Sequence, residues 1–209
     1  MTTALVAWSL LSRFTMYPES LVADVRETGA VAGRRLNLGC GPVRPDGWIN
    51  VDREGGRGVH VVRDIRDGLP FGDARFDYAV AMHFFQDLPY PDLVPALGEV
   101  RRVLRPGAAL RAGVPDLERS IDAFVRDDRA YFYVPDADAA STGAKLVVQA
   151  IWYGSVRTPF TWDFAREMCA KVGFREVKRA AFRRSTTDHD AIVALDNRER
   201  ETLFFEAIA

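Results

Sequence analysis

Gly39 and Gly41 flank Cys40 at the end of the apolar run Leu36-Asn37-Leu38. A chain that leaves a buried strand through two glycines can bring bare backbone up to a ligand, because no side chain stands in the way. Alone, this Gly-x-Gly pair is equally a tight strand exit with no ligand. Asp52 adds a second group: it closes the next apolar run, Trp48-Ile49-Asn50-Val51, and would stand beside the glycine turn, where a carboxylate reaches ribose hydroxyls. The spacing selects among nucleotides. A dinucleotide fingerprint needs a third glycine, a full helix and an acid about 20 residues on, whereas ten residues separate Gly41 from Asp52 and include Pro42, Pro45 and Gly47. No Gly-Lys-Ser/Thr follows the turn, so a phosphate cradle is missing as well. The pattern suits a nucleoside better than a polyphosphate and disfavours a nicotinamide oxidoreductase. Among the three histidines, His189 lies between Asp188 and Asp190, but three adjacent residues rarely converge on one ion, so no metal site is expected.

The elements needed to hold these residues follow an α/β rhythm from Arg34 onward. Strands are expected at Arg35–Leu38, Trp48–Val51, Val59–Val62, Tyr78–Ala81, Ala109–Val114, Glu176–Phe182 and Leu203–Ala207. Helices are expected at Leu93–Leu104, Leu117–Arg126 and Trp162–Lys171, with two more ahead of the sheet at Ala4–Phe14 and Ser20–Thr28. The last two strands read as an antiparallel edge. The segment 130–160 is the least regular and rich in aromatic residues, and reads as an insertion over one end of the sheet.

With 209 residues, 48% of them hydrophobic and 27% charged, the chain can bury a full core as one domain and is neither disordered nor a disulfide scaffold. Lys and Arg number 28 against 29 Asp and Glu, for a net charge of −1, which disfavours a nucleic-acid substrate. Cys40 and Cys169 form no disulfide framework, so a reducing cytoplasm is expected. The apolar stretch from Ala4 to Leu11 is too short to span a bilayer, so neither signal peptide nor membrane segment is expected. Oligomeric state is not legible.

Several runs resemble one family in order. Leu36-Asn37-Leu38-Gly39-Cys40-Gly41 with Gly47-Trp48-Ile49-Asn50-Val51-Asp52 is similar to the opening of a class I S-adenosylmethionine (SAM) dependent methyltransferase of the methyltransferase type 11-like group. Asp64-Ile65-Arg66-Asp67-Gly68-Leu69-Pro70-Phe71, Glu99-Val100-Arg101-Arg102, Val114-Pro115-Asp116 and Leu195-Asp196-Asn197-Arg198 continue the likeness to the C-terminus. The resemblance implies a Rossmann-like domain with a mostly parallel seven-stranded sheet and an antiparallel last strand. It implies SAM as cofactor, with Gly39, Cys40 and Gly41 against its methionine part, Asp52 on the ribose, and Asp64 with the Ile65 backbone at the adenine. For Asp64 the alternative is a turn cap before Gly68. The implied activity is O- or N-methylation of a small molecule such as a sugar or secondary metabolite, and the alternative is a SAM-binding protein without transferase activity. Members often carry Ser-His-x-Leu-Glu-His-Leu after the fourth strand. Here the run is Met82-His83-Phe84-Phe85-Gln86-Asp87-Leu88, so His83 is kept and the Glu-His pair is not. His83 is the candidate base, since an imidazole with a pKa near ~6.5 can take a proton at neutral pH. Its alternative role is to hold the cofactor or cap a helix. Residues 1–33 and 130–160, with Tyr17 among the former, are expected to form a lid over the site.

Overall fold

The computed structural model describes residues 34–209. The two helices expected before residue 29, and Tyr17, lie outside the described residues. Seven strands form one sheet in the order β3-β2-β1-β4-β5-β7-β6, with β1 Arg35–Leu38, β2 Ile49–Asp52, β3 Val61–Val62, β4 Phe76–Met82, β5 Leu104–Pro115, β6 Glu176–Ala180 and β7 Thr202–Ile208. The first five are parallel, and β7 runs antiparallel to both β5 and β6. This is the Rossmann-like methyltransferase fold that the resemblance implied. The last two strands form the expected antiparallel edge pair, exchanged relative to chain order: β7 lies inside and β6 is outermost. Composition explains the exchange, because Thr202–Ala207 is buried throughout while β6 exposes Glu176, Lys178 and Arg179, charges that keep an open edge from pairing with another chain.

Side chains two apart on a strand share a face, and the sheet separates its core accordingly. Ala79 and Ala81 on β4, with Leu110, Ala112 and Val114 on β5, pack with Leu93, Leu97 and Val100 of helix α1 (Tyr90–Val103) and Met168 and Cys169 of helix α4 (Trp162–Lys171). On the opposite face Tyr78, Val80 and Ala109 pack with Trp48 and Leu195 from loops and Ile192 from a short 3-10 helix, Asp190–Val193. Trp48 falls just outside β2 and meets Tyr78 edge-on at 5.5 Å. Between β1 and β2 no helix forms, as the prolines there dictate. Asn37 and Asn50, opposite each other in register, hold that loop instead: Asn37 Nδ2 donates to Asn50 Oδ1 at 2.9 Å and to the Val43 carbonyl at 2.8 Å.

The helix expected from Leu93 starts earlier, at Tyr90, and takes in Pro91, because the first turn needs no N–H partner and proline there costs nothing. Helix α2 covers Leu117–Val125 under an Asp116 cap. The segment expected to be irregular contains helix α3, Thr142–Ile151, whose first turn is capped by Ser141 accepting from Ala144 N at 3.1 Å.

Candidate active site

Strand order reverses between β1 and β4: the chain moves outward through β2 and β3, then returns to the other side of β1. Loops leaving the carboxyl ends of two such strands part in opposite directions and open a crevice. Gly39 follows β1 and His83 follows β4 at that point, with Leu38 paired to Ala81. The crevice is a cleft of about 620 Å³, and every site residue expected from sequence lines it: Gly39, Cys40, Gly41, Asp52, Asp64, Ile65 and His83.

Gly39 has φ +58°, and a Cβ built there would stand 2.4 Å from Phe84 Cδ2. Backbone and ring therefore both demand glycine, and the turn stays open to a ligand. Cys40 is buried, and that burial pushes its thiol pKa up. Asp52 accepts from Gly41 N at 2.8 Å through Oδ2 and from Glu54 N at 3.0 Å through Oδ1. Each oxygen keeps a lone pair for a further donor. Asp64 fills the cap role weighed against binding: it accepts from Arg66 N at 3.0 Å, and the Arg66 guanidinium grips both its oxygens and holds its carboxyl below the usual range. It lines the cleft as well.

His83 sits at φ +50°, with its N–H donating to the Gly113 carbonyl at 2.8 Å. Close approach makes this possible, since a Cβ on Gly113 would lie 2.7 Å from Met82 Sδ. The Thr202 hydroxyl donates to the Arg198 carbonyl at 2.7 Å, so toward His83 Nε2, 2.9 Å away, it presents a lone pair. That assigns the proton to Nε2 and leaves Nδ1 as the basic nitrogen. Burial, aided by the Arg198 charge, pushes the His83 pKa down to about 4. The expectation of a base near its ordinary value is thus corrected: the ring is neutral across the physiological range, always able to accept a proton and only weakly drawn to one.

A second cavity of about 240 Å³ adjoins, and His83, Asp87 and Arg198 line both. Its remaining walls include Gln86, Asp116, Ser120, Trp152 and Glu201. Sequence reasoning gave none of these a role. Asp116 and Arg198 stood within recognisable runs, but their convergence with Trp152 depends on the whole sheet. His83, Trp152 and Arg198 all have positive φ, backbone that non-glycine residues adopt at a cost and that concentrates at functional sites. Among the described residues no group of three or more His, Cys, Asp or Glu could hold a metal ion. His189 instead lies against the Tyr78 ring at 5.2 Å.

The domain is Rossmann-like, with its cleft at the point where the strand order reverses. Residues 45–112 match a family model described as a methyltransferase domain. Among curated protein sequences, none matches. Solved structures of the same fold include a SAM-dependent methyltransferase of Thermotoga maritima, described as a possible histamine N-methyltransferase, with 18% identity over 90% of this chain and 88% of that one and a TM-score of 0.52. Another is a SAM-dependent methyltransferase of Archaeoglobus fulgidus, at 16% identity over 91% and 94% of the two chains and a TM-score of 0.52. A third, from Mesorhizobium loti, has 16% identity over 90% and 96% and a TM-score of 0.50. Residues 45–112 are thus similar to a methyltransferase domain, and the fold is one that SAM-dependent methyltransferases of known structure share.

Proposed function

We propose that the chain methylates a small molecule, at oxygen or nitrogen, with SAM seated in the larger cleft and the acceptor in the smaller cavity. The observation that carries this reading is the meeting of the two cavities at His83, Asp87 and Arg198. The glycine turn at Gly39–Gly41 fits the methionine part of SAM, since it lines the larger cleft and carries no side chain at either glycine. The free lone pairs of Asp52 fit two ribose hydroxyls, and Asp64 with the Ile65 backbone borders the adenine.

SAM supplies a methyl carbon on a sulfonium, whose carbon–sulfur bond breaks with its electron pair left on sulfur. The protein's part is alignment and exclusion of water, and alignment alone can lower such a barrier by about 7–11 kcal/mol. His83 Nδ1 takes the proton that an O–H or N–H acceptor loses as its lone pair bonds to carbon. The aromatic segment 130–160 closes over the acceptor, bringing Trp152 and Val156 to the cavity wall.

Thermal-shift screening with SAM, S-adenosylhomocysteine, NAD and NADP, followed by turnover with labelled SAM, tests the reading. Stabilisation by the two adenosyl compounds alone, with turnover, is expected. Stabilisation by NAD or NADP alone would overturn it, and binding without turnover on any acceptor would leave a SAM-binding protein that is not a transferase.

A further inference from the structure

The walls of the smaller cavity are rich in groups that accept hydrogen bonds. Three carboxylates, Asp87, Asp116 and Glu201, line it together with one guanidinium, Arg198. Asp116 is 4% exposed, caps α2 through Arg119 N at 3.1 Å, and pairs with Arg119 Nε at 3.2 Å. Glu201 meets Arg198 only at 3.7 Å. Burial pushes all three carboxyls above their ordinary range, against the opposite pull of neighbouring arginines.

Gln86 gives an independent sign. It is 4% exposed and its Nε2 donates to Asp87 Oδ1 at 3.1 Å, which fixes the orientation of the amide. Its Oε1 is buried with no partner. A buried acceptor without a donor is costly, and a bound N–H or O–H donor removes that cost. Trp152 also lines the cavity, and an aromatic ring stabilises organic cations. The carboxylates do not gather as a ligand set for a metal ion.

We propose that the methyl acceptor is a small organic cation whose ammonium is held among Asp116, Glu201, Gln86 Oε1 and the Trp152 ring. A protonated amine has no lone pair, so the ammonium is the handle, and a separate hydroxyl or nitrogen at the other end of the same molecule receives the methyl group. That end lies toward His83 and Asp87, where the cavities join. An acid of the same shape is repelled. The inference rests on the methyltransferase reading given above.

Three near-isosteric probes separate the charges: tyramine, neutral 4-ethylphenol and anionic 4-hydroxyphenylacetate. Calorimetry at pH 7 on full-length protein, with and without saturating S-adenosylhomocysteine, reads each affinity. Tyramine is expected to bind at least about tenfold tighter than either other probe. Glu201→Gln with Asp116→Asn, which keeps a capping side chain at α2, should erase that preference while 4-ethylphenol binds as before. Glu167→Gln on exposed α4 should change nothing. Equal affinity for the three probes, tighter binding of the acid, or no binding of tyramine up to about 10 mM overturns the proposal. So does a preference that survives in the double variant. Failure of S-adenosylhomocysteine to bind, with tyramine still preferred, would instead strike the methyltransferase reading alone.

Discussion

The Asp52 carboxylate already accepts one backbone N–H on each oxygen, so a bound ribose would complete a shell that the fold half builds. Asp52→Ala is expected to weaken S-adenosylhomocysteine binding by about 1.5–3 kcal/mol, the range for charge-assisted hydrogen bonds, whereas Asp46→Ala in the exposed loop leaves it unchanged. Calorimetry on folded variants measures both, and an unaltered dissociation constant for Asp52→Ala removes it from the site. His83 makes a different kind of prediction. Its folded pKa of about 4 lies below the 6.5 of the free imidazole, so the unfolded chain binds the extra proton first as pH falls. The stabilisation from keeping this ring neutral is fully present above pH ~6.5, declines as pH falls, and is gone below ~4, at a cost on the order of 3 kcal/mol. Urea unfolding at pH 7 and 4.5 should show a smaller loss for His83→Gln than for the parent chain. Parallel losses would mean that the ring is already charged in the folded protein. If the product is an alkyl methyl ether, His83→Ala lowers single-turnover rates by roughly 10²–10⁴ at saturating SAM. A variant as fast as the parent gives His83 a structural role only.

Elements bring these residues together with different degrees of constraint. The loop carrying Asp64 is fastened to α1 by Glu99, which accepts from Leu69 N at 2.8 Å, and by Arg102, which donates to the carbonyls of Phe71 and Leu69. Helix α3 and the turn after it are held more lightly, with Val147, Ile151 and Tyr153 exposed. Segment 130–160 is therefore expected to gain amide protection when S-adenosylhomocysteine and an acceptor bind, and hydrogen exchange with and without them measures it. Equal protection in both states counts against a lid. The strands were legible from sequence because parallel strands buried on both faces read as short apolar runs, and the glycine turn, Asp52 and His83 were legible because each stands directly after such a run. Helix α3 was not, since Gly143 near its start and the Trp152-Tyr153-Gly154 turn at its end break the pattern around one short amphipathic stretch. Nor was the smaller cavity. Gln86, Asp116, Trp152 and Glu201 come from four segments, and no local spacing links them.

Across the whole molecule, one buried network ties the sheet to the long connection that ends at the site. Arg111 on β5 is fully buried and donates to Asp196 Oδ1 at 2.6 Å, to Glu206 Oε1 at 2.7 Å and to the carbonyl of Ala181 at 2.9 Å. Asp196 in turn accepts from Arg183 N at 2.7 Å, and two residues further on stands Arg198, at the junction of the cavities. Removing one member of a buried ion cluster leaves uncompensated charge, so Arg111→Met is expected to cost about 3–5 kcal/mol in urea unfolding, and a loss within 1 kcal/mol of zero, on the scale of about ±0.5 for surface changes, would show that the network carries little. The proposed reading seats an adenosyl group in the larger cleft and a small acceptor in the cavity beside it. The most direct measurement incubates the purified protein with methyl-labelled SAM and a fractionated cell extract and follows the label by mass. We expect the label in one low-mass product, formed by the parent chain and lost with Asp52→Ala. Label that enters only the macromolecular fraction, or that stays on SAM while S-adenosylhomocysteine binds the protein, would contradict small-molecule methyl transfer at this site.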